Sequence, residues 1–200
     1  MLKNFVFDFG QVIVHFEPEY MTEKYIKNPD DVKMAQEVIF DRLYWDKLDE
    51  GTITDQEVIY GIKSRLPEHL RENAVKVYED WYLHLPVFDG MEQLITDLKS
   101  QGKKLYLLSN ISIGFAENYT KNPEIKRILS LFDGLIFSAK EGYVKPNRDI
   151  FEHLLNKFSL SAEETIFIDD NEKNIIGAKN AGINAYLFDG DVAKLRKNII

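Results

Sequence analysis

Polar residues that can do chemistry follow apolar runs at several places in this sequence, and their types point to phosphorus. Asp8 follows Phe5-Val6-Phe7, Ser109 and Asn110 follow Leu105-Tyr106-Leu107-Leu108, and Asp169 and Asp170 follow Ile166-Phe167-Ile168. Lys145 stands before Pro146. An ionised carboxylate beside a buried strand is costly unless a cation or hydrogen-bond donors meet it. Two or three carboxylates hold a hard divalent cation such as Mg²⁺ through oxygen, and Asp8, Asp169 and Asp170 are the candidates. The Ser109 hydroxyl and Asn110 amide suit phosphate oxygens, while Lys145 offsets charge that the carboxylates would repel. Asp8 is then placed to attack phosphorus and form an aspartyl-phosphate. Each piece alone has a plainer account: a turn at Ser109-Asn110, a solvated lysine at a helix start, an N-cap cluster at Asp169-Asp170-Asn171. The order and spacing of all four are what single them out.

The elements that must position these groups alternate. The run from Phe5 to Val14 reads as a strand buried on both faces, with a turn marked by Gly10. A helical block follows, over residues 15–85. Pro18 suits a first helical turn, Asp30-Asp31 a second helix, and Gly51 caps a third that carries Arg42, Tyr44, Trp45 and Asp46. Thr54 with Glu57 forms a capping box, and a last helix begins near Pro67 and ends in Trp81-Tyr82-Leu83-His84-Leu85-Pro86. From Phe88 onward strands and helices take turns: strands at Lys104–Leu108, Gly134–Ser138, Thr165–Ile168 and Ala185–Phe188, with a helix opened by Lys145-Pro146 and a short basic helix at the end. This is the pattern of an α/β, doubly wound parallel sheet, whose ligands bind beyond the carboxyl ends of the strands. The expected division is a core of residues 1–14 and 86–200 with residues 15–85 inserted as a helical cap.

Composition narrows the class of partner. With 25 Lys plus Arg against 33 Asp plus Glu, the net charge is −8, unsuited to nucleic acid or an anionic membrane. There is no cysteine, which excludes disulfides, thiol catalysis and zinc thiolate sites. No apolar run approaches membrane-spanning length, and a strand starting almost at Met1 leaves no room for a signal peptide. A cytoplasmic protein is expected, acting as a monomer or weak homodimer on a small phosphorylated metabolite.

The four stretches, in this order, resemble the haloacid dehalogenase-like (HAD) superfamily over essentially the whole chain. Asp8-Phe9-Gly10-Gln11-Val12-Ile13-Val14, Leu108-Ser109-Asn110 and Lys145-Pro146 are most similar to the small phosphatases that include bacterial α-D-glucose-1-phosphate phosphatase. The resemblance implies a Mg²⁺-dependent phosphatase with a Rossmann-like core and an α-helical cap. By it, Asp8 is the nucleophile and a metal ligand, and the Gly10 carbonyl is a second ligand. Ser109 and Asn110 bind phosphate, Lys145 bridges nucleophile and phosphate, and Asp169 and Asp170 hold the metal. Most phosphatases of the superfamily carry a general acid two residues after the nucleophile, where this chain has Gly10. Its loss costs ~10²–10⁴ in rate unless something replaces it. Either the leaving group is a good one, such as an anomeric hydroxyl, or a donor comes from elsewhere, with His15, Asp46 and His84 as candidates. The dehalogenase branch also lacks that acid but needs no metal, so the pair Asp169-Asp170 favours the Mg²⁺ branch. A phosphomutase, or a weakly catalytic relative that binds a phosphorylated ligand or protein partner, are the alternatives. Arg42, Tyr44, Trp45 and Asp46 are expected to face substrate from the cap, the aromatic pair being alternatively part of the cap's own core.

Overall fold

A computed structural model describes residues 2–200. Strand β1 (Asn4–Phe7) is followed by α1 (Pro18–Glu23), α2 (Pro29–Ile39), α3 (Arg42–Asp49), α4 (Asp55–Arg65) and α5 (Glu68–Asp80), and a 3₁₀ turn at Trp81–Leu83. Next come α6 (Met91–Ser100), β2 (Lys104–Ser109), α7 (Ile113–Asn118), α8 (Pro123–Leu129), β3 (Gly134–Phe137), α9 (Ser138–Glu141) and α10 (Arg148–Phe158). The chain finishes with β4 (Thr165–Asp169), α11 (Glu172–Asn180), β5 (Asn184–Leu187) and α12 (Val192–Ile199).

The five strands form one sheet in the order β3-β2-β1-β4-β5, every pairing parallel. β1 is therefore central, in register with β2 (Val6 beside Tyr106) and with β4 (Val6 beside Phe167). Its alternating side chains feed two cores. Phe5 and Phe7 pack with Leu94, Leu98, Leu105, Ile168 and Leu195 on one face. Val6 packs with Leu108, Phe151, Leu154, Phe167 and Ile175 on the other. Helices cover both faces, which is why all four β1 residues are buried.

The sequence pattern predicts a strand running on to Val14, but the apolar run after Asp8 does not continue it. β1 ends at Phe7, and the chain turns through Gln11 (φ 57°) with Ile13 and Val14 donating backbone N–H groups to Phe9 O. Phe9, Val12, Ile13 and Val14 are nonetheless buried. Burial is a property that a tight turn packed against the core shares with a strand, so an apolar run cannot separate the two. The left-handed residue is Gln11 and not Gly10. The chain enters and leaves the helical block side by side: Val14 bridges Val87, His15 N–H donates to Pro86 O at 2.7 Å, and Phe88 N–H donates to Ile13 O at 3.0 Å.

Helices α2, α4 and α5, with Leu48 of α3, enclose a separate core that includes Val38, Ile39, Val58, Ile62, Ala74 and Val77, whereas Met21 of α1 joins the sheet core. The Thr54–Glu57 capping box is present, and Pro18 and Pro29 occupy first-turn positions. α3 is different, because its C-terminal end is fixed to the sheet-bearing part. Ser138 Oγ, just past β3, donates to Asp49 O at 2.6 Å and accepts from Ile111 N–H at 2.9 Å. Gly51 (φ +70°) lies so close to α9 that a Cβ there would stand 2.7 Å from Ala139 O. Gly51→Ala therefore meets both an unfavourable φ and a backbone clash, and about 1–3 kcal/mol of stability is expected to be lost. Urea unfolding checks this; an unchanged midpoint would mean that the cap end is not held this tightly.

Candidate active site

Asp8 is the first residue past β1, Ser109 the last of β2, and Asp169 the last of β4, so three adjacent central strands deliver them to one sheet edge. Lys145 arrives from the segment between α9 and α10. Its Nζ lies 2.8 Å from Asp8 Oδ1 and 2.7 Å from Asp169 Oδ2, with Lys145 and Asp169 fully buried or nearly so. The sequence places Lys145-Pro146 at the opening of a helix. In the structure α10 begins at Arg148, and Lys145 and Pro146 form a cis-linked turn ahead of it. That turn is held by Asn110, whose Oδ1 accepts from Lys145 N–H at 2.8 Å and whose Nδ2 donates to Lys145 O at 2.9 Å.

The two remaining groups complete an acidic cluster. Carboxylate oxygens of Asp8, Asp169 and Asp170 lie within 4.8 Å of one another. Asp8 accepts from Phe9 N–H at 2.7 Å. Asp169 accepts from Asn171 N–H at 2.8 Å and from Asn174 Nδ2, 3.0 Å from both of its oxygens. Sequence reading missed Asn174. It sits one turn into α11, five residues after Asp169, a spacing that could have marked it as reaching back to the strand end. An all-oxygen set of three carboxylates, with the Gly10 backbone alongside in the same cavity, fits a hard cation of the Mg²⁺ type.

Electrostatics show the same demand for positive charge. Burial pushes the Asp8 carboxyl up to about 7, opposed by Lys145 and reinforced by Asp169. Asp170 is raised by its burial and by Asp169. Burial works against the Lys145 ammonium, yet Asp8 and Asp169 outweigh it and hold the proton more firmly. Asp49 is also pushed up to about 7, by burial first. Carboxyls raised in the folded state bind protons that the unfolded chain has already lost. Their contribution to stability is thus full below about 3.8 and is lost as pH rises through 7. Metal-free protein is expected to show this loss of Tm between about pH 4 and 7, and Mg²⁺ at pH 8 to reverse part of it. A Tm insensitive to Mg²⁺ at pH 8 would count against a cation at this cluster.

A cavity of about 230 Å³ opens over the cluster. Its floor is Asp8, Gly10, Ser109, Asn110, Lys145 and Asp170, and its walls are Phe9, Phe16, Trp45, Trp81 and Ile111, with Arg42 and Asp49 from α3. A larger hollow of about 710 Å³ lies in the helical block, but Glu17, Glu19, Glu23 and Glu37 line it and none of the motif residues does. Four carboxylates repel a phosphate, so the smaller cavity is the one that fits the chemistry.

Of the cap residues expected to face substrate, Trp45 and Arg42 line this cavity. The Trp45 indole N–H donates to Ile39 O at 2.7 Å, leaving its ring as an apolar wall against Phe16 and Trp81. Asp46 pairs with Arg42 at 2.6 Å and lies in a neighbouring hollow. Tyr44 turns the other way, packing on the cap core with its hydroxyl against Gly61. One residue along a helix is a rotation of about 100°, so Tyr44 and Trp45 cannot share a direction. The histidine candidates for a replacement acid lie outside the cavity. His15 stacks on Phe88 at 3.6 Å, and His84 bonds the Tyr25 hydroxyl at 3.0 Å.

Comparison with known proteins agrees with this geometry. The family model of haloacid dehalogenase-like hydrolases matches residues 2–182. The chain is 29% identical over 182 residues to the sesquiterpene phosphatase astK of Aspergillus oryzae, covering 90% of this chain and 87% of that one. It is 26% identical over 194 residues to the D-ribitol-5-phosphate phosphatase of Bacteroides thetaiotaomicron, covering 93% and 91%. Its fold matches a HAD family enzyme of Bacteroides thetaiotaomicron solved with magnesium and inorganic phosphate, with a TM-score of 0.74, 22% identity, and 98% and 99% coverage. The chain belongs to the haloacid dehalogenase-like hydrolases. Those two relatives of matching length are phosphatases, and the cluster of Asp8, Asp169 and Asp170 is of a kind that can hold a divalent cation.

Proposed function

We propose that this enzyme is a Mg²⁺-dependent phosphatase of small sugar or polyol phosphates, working through an aspartyl-phosphate on Asp8. The observation that carries the reading is Lys145 Nζ held between Asp8 and Asp169 beside a small cavity that Asp8, Ser109, Asn110, Lys145 and Asp170 line. Lys145 orients Asp8 and adds positive charge where the phosphate oxygens gather, while Ser109 and Asn110 receive those oxygens. Asp8, the Gly10 carbonyl, Asp169 and Asp170 would hold Mg²⁺, which supplies further charge neutralisation when bound. Asp8 attacks phosphorus, the alcohol leaves, and water then hydrolyses the acyl phosphate. Residues 15–85 act as the cap and residues 1–14 with 86–200 as the core, in a cytoplasmic monomer or weak homodimer.

The size of the cavity favours a small substrate. At about 230 Å³ it falls below the ~300–1,000 Å³ typical of pockets for drug-sized ligands. The relative that acts on D-ribitol 5-phosphate suits this volume better than the one named for sesquiterpenes, although the aromatic walls would also accept an apolar body. The test is Mg²⁺-dependent phosphate release from a sugar 1-phosphate, the matching 6-phosphate, ribitol 5-phosphate and farnesyl phosphate. Release from the small esters in preference to farnesyl phosphate is expected. A preference for farnesyl phosphate would overturn the substrate class, and no release from any ester would overturn the phosphatase reading.

A further inference from the structure

Gly10 leaves the reaction without a proton donor at that position, and the space there is open: a Cβ built on Gly10 would meet no atom within 4 Å beyond its chain neighbours. A donor must therefore reach the cavity from another element. We propose that Asp49, at the C-terminal end of α3, is the general acid and base of the reaction at Asp8. This rests on the phosphatase reading above.

Three observations support the assignment. First, Asp49 lines the cavity that holds Asp8, Gly10, Ser109 and Lys145. Second, its position is fixed by backbone contacts that leave its carboxyl unused. Ser138 Oγ bonds the Asp49 carbonyl, Gly51 packs on Ala139, and the Asp49 carboxyl has no hydrogen-bond or ion-pair partner among the described residues. A half-buried carboxyl without a partner is expensive unless it is protonated or waiting for a ligand. Third, the charges facing it come from two sides: Arg42 and Asp46 on its own helix, and Asp8 and Lys145 across the cavity. Burial, Asp46 and Asp8 together outweigh Arg42 and Lys145, so the carboxyl keeps its proton up to about pH 7. An acid of that strength is suited to donate near neutrality.

The proton balance closes over the two half-reactions. As the Asp8 carboxylate forms its bond to phosphorus, the bond to the ester oxygen breaks and that oxygen takes the Asp49 proton, leaving as the alcohol. Asp49, now a carboxylate, accepts a proton from the water that attacks phosphorus. The bond to Asp8 breaks, inorganic phosphate leaves, and Asp49 is again protonated.

Leaving-group dependence separates this role from a structural one. Asp49→Asn should lower kcat on ribitol 5-phosphate by ~10²–10⁴ and abolish the decline of its rate above about pH 7. On p-nitrophenyl phosphate, whose phenolate leaves without a proton, kcat/KM, which ends at transfer to Asp8 and excludes the base-assisted hydrolysis common to both esters, should fall by no more than about fivefold, against ~10²–10⁴ for kcat/KM on ribitol 5-phosphate. If Asp49→Asn does not fold, Asp49→Ser is read in the same way. An equal loss of kcat/KM on both esters would make Asp49 a structural residue, and no loss on either would place the acid elsewhere; both overturn the proposal. Absence of turnover by the unsubstituted enzyme on both esters would instead overturn the phosphatase reading.

Discussion

Asp8→Asn is expected to reduce phosphate release by at least about 10⁴-fold, with near-normal stability. The amide keeps the shape of the side chain and can still accept from Phe9 N–H, but its oxygen is a far weaker nucleophile than a carboxylate. Burial already raises the Asp8 carboxyl, so removing its charge relieves a desolvation cost as well as an attraction to Lys145. Lys145 retains Asp169 at 2.7 Å, so the ammonium is not left alone. The measurement is a single-turnover assay with Mg²⁺ beside a thermal melt. A variant that folds normally and still turns over within tenfold of the unsubstituted enzyme would show that Asp8 is not the nucleophile.

Lys145→Met is expected to be damaging in a different way, losing activity and also about 3–5 kcal/mol of stability in the absence of metal. Methionine fills similar space but leaves Asp8 and Asp169 facing each other without a cation, in a site where Lys145 and Asp169 are almost wholly buried. Adding Mg²⁺ should recover more Tm in this variant than in the unsubstituted protein, because the metal replaces the missing positive charge. Calorimetry with and without Mg²⁺ checks both parts. A metal-free variant as stable as the parent would mean that the three charges are not the buried triad described above.

Much of this could be read in the sequence for a physical reason. Strands of a doubly wound sheet are apolar on both faces, so Asp8, Asp169 and the polar pair Ser109-Asn110 stand out as the points where a strand meets its ligand edge. Residues off those edges were harder to read. Asn174 in α11 has the look of a solvent-facing amide until the fold brings Asp169 over it. Asp49 stands close to two other carboxylates, Asp46 and Glu50, and composition cannot say which faces inward. The helical phase can: Arg42, Trp45 and Asp49 are spaced by three and four residues and form one stripe, and all three line the cavity. Tyr44 is off that stripe. The overlong first strand failed for another reason, since Phe9 to Val14 are buried by packing in a turn, with no ladder to carry a period of two.

The central place of β1 has a consequence for how the protein is made. Its neighbours on either side, β2 and β4, begin about 100 and 160 residues later in the chain. At synthesis rates of ~5–20 residues per second, residues 4–7 wait roughly 8–30 s before their second neighbour exists. During that interval α2–α5 are complete and own a separate core, while Phe5, Val6 and Phe7 have no finished sheet to enter. Of the five strands, β1 is thus the first to emerge from the ribosome and the one that waits longest between its synthesis and its enclosure on both sides. Aggregation of nascent chains should therefore respond most to substitutions in β1, well before any effect of the same substitutions on the finished enzyme is visible.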